Sequence, residues 1–179
     1  YMSFSDSLLP RRLFVASNAS GVWELQNLAD GRSSSLALDS FGNPHIVYYC
    51  DDTQELKYSY YDGLAWNTFA TSVLADSPHI ALDSFNLPHI SLGASTGVEC
   101  LIYVYFDGIN LNVQPLDCSN AGFHTSIVLD QLGLPHISYS LTDARGSNLL
   151  NYLYLPMPDL TGQWKLLAQS CRISKKGQK

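Results

Sequence analysis

Aspartate and histidine recur together in this sequence, six residues apart, as Asp39/His45, Asp83/His89 and Asp130/His136. Each pair brackets a short turn-forming run, such as Ser40, Gly42 and Asn43 in the first copy. Two chemistries suit such a set. A carboxylate and an imidazole facing each other across a turn can hydrogen-bond, fix the turn and satisfy each other. Alternatively, Asp39, Asp83 and Asp130 converge on a common axis and hold Ca²⁺ through oxygen ligands. Zinc fits less well, because the three histidines follow the turn and sit one strand further from that axis. A polar feature repeated in every copy is ordinarily framework. The expectation is therefore a set of structural turn pairs, with no metal and no cofactor.

Polar residues that break the repeat are better ligand candidates. The most divergent segments are Asp51-Asp52-Thr53-Gln54-Glu55, Ala94-Ser95-Thr96-Gly97-Val98 and Thr142-Asp143-Ala144-Arg145-Gly146-Ser147-Asn148. They share one rim with the connections that contain Asp76 and His124. A ligand-binding rim is expected from Asp51, Asp52, Asp76, His124, Asp143, Arg145 and Asn148. Carboxylates, amides and an arginine near tyrosines suit sugar hydroxyls, so carbohydrate is the first ligand class expected. His79, in place of a serine, also departs from the repeat.

No catalytic constellation is visible. Two carboxylates flanking a glycosidic bond can be assembled from Asp51, Asp52 and Asp143, but nothing singles them out. Phosphate loops, nucleophile elbows and His-Glu-x-x-His are absent. The expectation is a non-enzymatic binding or interaction module. The alternatives are a structural fragment of a larger propeller without a ligand of its own, and a remnant of a glycosidase-like propeller enzyme.

The elements that position these residues are given by an internal repeat. Ser35-Leu-Ala-Leu-Asp39-Ser-Phe-Gly-Asn-Pro44-His45-Ile46 recurs as His79-Ile-Ala-Leu-Asp83-Ser-Phe-Asn-Leu-Pro88-His89-Ile90, and again as Ser126-Ile-Val-Leu-Asp130-Gln-Leu-Gly-Leu-Pro135-His136-Ile137. Each copy reads as strand, tight turn, strand: an apolar run too short for a helix, turn residues, then Pro at a tolerated strand start. A second hairpin follows. Leu56 to Tyr61 leads through Asp62-Gly63 to Trp66–Phe69, and Leu101 to Phe106 leads through Asp107-Gly108 to Leu111–Val113. Trp66 and Leu111 occupy the same place, four residues after the aspartate. In the last copy Leu149 to Leu155 and Gln163 to Leu167 flank a longer loop. Tyr1–Ser5, Arg12–Ala16 and Val22–Leu25 read as the later strands of an earlier copy whose first strand is missing.

Four antiparallel strands at a period of about 45 residues make a propeller blade. The expected fold is all-β, with blades at about 1–30 (partial), 33–74, 78–117 and 124–169, and a basic tail over 171–179. The run Leu38-Asp39-Ser-Phe-Gly-Asn-Pro-His-Ile-Val-Tyr-Tyr49, with the Leu-Lys-Tyr and Asp-Gly…Trp that follow it, resembles a repeat widespread in uncharacterised bacterial propeller proteins, loosely grouped with the sialidase-like propellers. The resemblance implies the fold and no particular activity. The Ser-x-Asp-x-Gly-x-x-Trp box of true sialidases does not occur.

Bulk composition agrees. The charged fraction of 15% is low, as expected of sheets covered on both faces. The net charge of −6 excludes nucleic acid and anionic membrane as default partners. No signal peptide and no membrane-spanning run is visible. Of the four cysteines, Cys100 and Cys118 fall opposite each other if Asp107 faces Leu111, making them the candidate disulfide. With a blade short of a strand, the chain is expected either to self-associate or to continue into a longer propeller.

Overall fold

Alternating apolar and β-branched runs separated by Asp-centred turns fold into four antiparallel sheets. The computed structural model describes residues 1–7, 11–74, 76–95, 99–155, 165–166 and 171–172. The first sheet has three strands in the order β1 (Met2–Ser5), β2 (Arg12–Ser17) and β3 (Glu24–Asp30). The second runs β4 (Arg32–Leu38), β5 (Pro44–Cys50), β6 (Glu55–Tyr61) and β7 (Trp66–Ala70). The third runs β8 (Asp76–Leu82), β9 (Pro88–Ser95), β10 (Glu99–Phe106) and β11 (Leu111–Asp117). The fourth runs β12 (Ala121–Leu129), β13 (Pro135–Thr142), β14 (Asn148–Tyr154) and β15 (Lys165–Leu166). These are propeller-type blades, the first without its innermost strand. Among the described residues no helix is long and apolar enough to cross a membrane.

Two placements differ from the sequence reading. Val22 and Trp23 lie outside β3, which starts at Glu24, and both are exposed. The β2–β3 ladder begins at Ser17 opposite Glu24, which leaves Val22 and Trp23 in the connection, and a bulge between Leu13 and Phe14 shifts its register at the other end. The segment Cys171–Arg172, assigned to the tail, forms a strand (β16) that pairs with β14 through Leu150 and Leu149. It shares with β15 the outer edge of β14, so the fourth strand of the last blade is made in two pieces. The rest of that basic tail lies outside the described residues.

The first turn of each blade is built by its aspartate. In the second blade the Asp39 Oδ1 accepts the N–H groups of Phe41 (2.8 Å) and Asn43 (2.7 Å), and the Gly42 N–H returns to the Asp39 carbonyl at 3.1 Å. Asp83 and Asp130 repeat the pattern. The third position after each aspartate has positive φ, which explains Gly42 (84°), Gly133 (79°) and the turn-tolerant Asn86 (63°).

The apolar cores lie between blades. Leu13 and Val15 of the first meet Ile46 and Tyr48 of the second. Val47 and Leu56 of the second meet Ile90 and Leu92 of the third. Leu101 and Tyr103 of the third meet Ile137 and Tyr139 of the fourth. Inner strands carry single stitches between blades: the Ile80 N–H donates to Ser35 Oγ and the Ile127 N–H to His79 Nδ1, both at 3.2 Å. At the last junction the backbones meet directly, because a Cβ on Gly93 would lie 2.1 Å from the Gly122 carbonyl oxygen. β1 packs on β4, β4 on β8 and β8 on β12, with no comparable packing between the first and last blades among the described residues.

Cys100 and Cys118 are disulfide-bonded, with Cα atoms 4.1 Å apart. The register that brings them together is not a uniform one. Leu111 faces Phe106 rather than Asp107, and a bulge between Leu101 and Ile102 restores the offset so that Leu101 faces Asp117. Cys50 is a free, buried thiol.

Candidate functional site

Each Asp–His pair extends into a chain of three. Asp39 Oδ2 lies 3.8 Å from His45 Nε2, and His45 Nδ1 lies 2.5 Å from the Tyr58 hydroxyl. In the tautomer with its proton on Nε2, facing the carboxylate, Nδ1 accepts the Tyr58 O–H. The chain recurs as Asp83–His89–Tyr103, at 3.7 and 2.5 Å, and as Asp130–His136–Tyr152, at 3.6 Å for the first pair. A second tyrosine stacks on each imidazole: Tyr60 on His45, Tyr105 on His89 and Tyr154 on His136, with centroids 5.5 to 6.1 Å apart.

Burial sets the protonation states. It pushes the His45 and His89 pKa values below 6.5, only partly offset by Asp39 and Asp83. It pushes the Tyr58 phenol up, as do Tyr60 and Asp39. Asp39 works against its own desolvation: the Asn43 and Phe41 hydrogen bonds and His45 hold it below 3.8. At neutral pH the chain therefore reads carboxylate, neutral imidazole, neutral phenol. This has a measurable consequence. The unfolded chain takes up protons on His45 and His89 near pH 6.5 while the folded chain resists them, so stability is whole above that value and falls as pH drops below it. Thermal unfolding midpoints should be flat from about pH 8 to 7 and decline below. A midpoint that rises between pH 7 and 5 would contradict neutral, buried histidines.

The second and third blades enclose a cavity of about 520 Å³. His45, Tyr58, Tyr60 and Phe69 line it on one side, and Asn86, Leu87, Phe106 and Leu111 on the other. Its wall is a row of rings: Tyr60 stacks on His45 and lies nearly parallel to Phe69, at 6.0 Å and 5°. Asn86 is fixed by the adjoining turn, since its Oδ1 accepts the Ser40 N–H at 2.9 Å and its Nδ2 donates to Ser40 Oγ at 3.0 Å. One difference between copies bears directly on this space. At the preceding junction Trp66 packs against the core, and its Nε1–H donates to Gln26 Oε1 at 3.1 Å. Leu111 holds the equivalent place at this junction, and the shorter side chain leaves the space open.

None of the predicted rim residues lines this cavity. Its lining includes Asn86 and Leu87 of a first turn and Phe106 and Leu111 beside a third turn, whereas the predicted rim lies chiefly in the second turns. On that rim Asp51 Oδ1 accepts from Arg32 Nε at 3.0 Å, and the Arg32 guanidinium lies over the Tyr49 ring. Asp52 is exposed in the adjoining turn. Asp76 lies on β8, and nothing is described of its side chain. His124 is exposed on β12. Asp143 builds a turn of the same form as Asp39, accepting the N–H groups of Arg145 and Ser147. Arg145 is exposed at its tip, and the Asn148 amide oxygen accepts from Thr142 at 3.1 Å. Among the described residues no group of three His, Cys, Asp or Glu side chains is arranged to hold a metal. Each of Asp39, Asp83 and Asp130 is committed to its own turn.

Sequence reasoning missed Tyr58, Tyr60, Phe69, Asn86 and Leu111 as site residues. The signal was present in the recurrence Leu56-Lys-Tyr-Ser-Tyr60, Leu101-Ile-Tyr-Val-Tyr105 and Leu150-Asn-Tyr-Leu-Tyr154, and in the exchange of Trp66 for Leu111.

Solved structures share this fold. A fucose lectin from Kordia zhangzhouensis superposes with a TM-score of 0.52 at 18% identity, over 76% of this chain and 99% of its own. A GH43 β-1,3-galactosidase gives 0.51 at 13% identity, over 79% of this chain and 46% of its own. A bifunctional GH43-CE protein from Bacteroides eggerthii gives 0.53 at 10% identity, over 94% of this chain and 26% of its own. Likeness at these identities establishes the propeller-like fold. No protein-family model matches the sequence, and neither does any curated protein.

Proposed function

We propose that the protein is a non-enzymatic binding module that holds a carbohydrate in the cavity between its second and third blades. The observation that carries this reading is the open row of His45, Tyr60 and Phe69 where Leu111 replaces a tryptophan. A pyranose offers a C–H face to stack on such rings and hydroxyls at its edge. The Tyr60 hydroxyl, the Asn86 amide and Thr71 supply polar edges to the same space. A volume of 520 Å³ suits a small ligand, whose sites run from about 300 to 1,000 Å³. The similar structures include a lectin and two proteins named for GH43, which favours a sugar over other small ligands.

Binding without hydrolysis follows from the lining. Glycoside cleavage needs two carboxylates about 5 to 9.5 Å apart across the bond, and the residues lining the cavity include neither Asp nor Glu. A glycan array followed by calorimetry tests the reading. The intact protein should bind a defined sugar class, and Leu111→Trp should weaken that binding by more than about tenfold while the protein stays folded. Arg145→Ala, on the rim, should leave it unchanged. An array without a hit refutes the reading. Loss on Arg145→Ala but not on Leu111→Trp moves the site to the rim.

A further inference from the structure

The faces that blades turn to one another follow a fixed pattern. The third strand of one blade offers a leucine: Leu13, Leu56 and Leu101, each 0% exposed. The second strand of the next answers with two apolar residues: Ile46 and Tyr48, Ile90 and Leu92, Ile137 and Tyr139, none more than 2% exposed. Both halves of this contact appear again at the ends of the arc, uncovered. In the last blade Leu150 holds the leucine position and is 52% exposed. In the first blade Met2 faces Ala16 as Ile46 faces Ser59, and Phe4 faces Phe14 as Tyr48 faces Lys57. Met2 and Phe4 are 52% and 42% exposed. The Asp–His pairs report the same gradient. The His45 and Asp39 side chains are 7% and 9% exposed, those of His136 and Asp130 26% and 34%. Ser126, which matches Ser35 and His79 in the stitches between inner strands, is exposed.

We infer that the two end faces are halves of one junction, and that a second copy of the chain completes it: the first blade of one copy seats on the last blade of the other. The ground is complementarity. The ends present the same two chemistries that meet at each internal junction, and one arc does not bring them together. The contact is heterologous, so it closes into a ring when the geometry returns on itself.

Sedimentation of the chain with two exposed-site variants tests this. The unaltered protein should form a two-copy species at micromolar concentration. Leu150→Glu and Phe4→Glu each place a carboxylate in one half of the junction. Each alone should weaken association by about tenfold or more, with an unchanged circular dichroism spectrum. Mixed in equal amounts they should associate again, because Leu150→Glu keeps an intact first-blade face and Phe4→Glu an intact last-blade face. A monomer at about 100 μM, a pair that survives either substitution, or a mixture that stays monomeric would each overturn the inference.

Discussion

Replacing Leu56 by alanine is expected to remove about 2 to 5 kcal/mol from the unfolding free energy. Leu56 is fully buried between the second and third blades, in one cluster with Val47, Ile80, Ile90, Leu92 and Val104. Truncation there removes apolar surface from the core and leaves a void. The neighbours belong to two sheets whose backbones are fixed by their own ladders, so the void closes poorly and the upper half of the range is favoured. Leu132, at the tip of the Asp130 turn, is 64% exposed. Leu132→Ala should stay within about 0.5 kcal/mol of the parent. Urea unfolding of the two variants makes the comparison. Equal losses would mean that the space between blades is not the core of this fold.

Gly93→Ala is the second large effect. The added methyl would sit 2.1 Å from the Gly122 carbonyl oxygen and 3.0 Å from its carbonyl carbon. No rotamer relieves this, because both partners are backbone. Gly122 has little room to retreat, since its own Cβ position is 2.9 Å from the Cys100 carbonyl oxygen and its φ is +93°. Cys100 is in turn held by its disulfide to Cys118. The third and fourth blades must move apart, at a cost at or above the usual 1 to 3 kcal/mol, about, for overpacking. Gly63 is the control. It has φ +93° in a turn with nothing near its Cβ position, so Gly63→Ala carries backbone strain of about 1 to 2 kcal/mol and no clash. Near-ultraviolet circular dichroism and thermal unfolding separate the two. A Gly93 variant no worse than the Gly63 variant would show that the blades approach less closely than described.

Blade architecture was legible in the sequence because it is local. Asp39, Pro44 and His45 sit in one hairpin, and the same hairpin is written three times. Asp62-Gly63 and Asp107-Gly108 mark the second hairpin equally well. The cavity between the second and third blades was less legible because it joins residues of different copies. Tyr60 and Leu111 are far apart in sequence, and no periodicity states which face of one blade meets which face of the next. Tyr58, Tyr60, Tyr103 and Tyr105 carry little signal by residue type, since tyrosine favours strands in any context. Charged loop residues stand out more by type, yet one of them, Asp143, builds a turn like that of Asp39. The split last strand was hidden for another reason: Lys165–Leu166 and Cys171–Arg172 are too short to carry an alternation of their own.

The single stitches between inner strands bear on how the molecule comes apart. Within a blade, ladders of backbone hydrogen bonds join every strand to the next. Between blades the inner strands share one side-chain-to-backbone bond at each of Ser35 and His79, and scattered bonds such as Trp66 to Gln26 and Asn86 to Ser40 add to the packed side chains. Each blade therefore answers to its immediate neighbours and to nothing beyond them, as in a linear array of coupled units. In such an array a unit packed on both sides opens later than one packed on a single side. The second and third blades each pack against a blade on both sides, so the junction at Leu56, and the cavity beside it, is expected to open late.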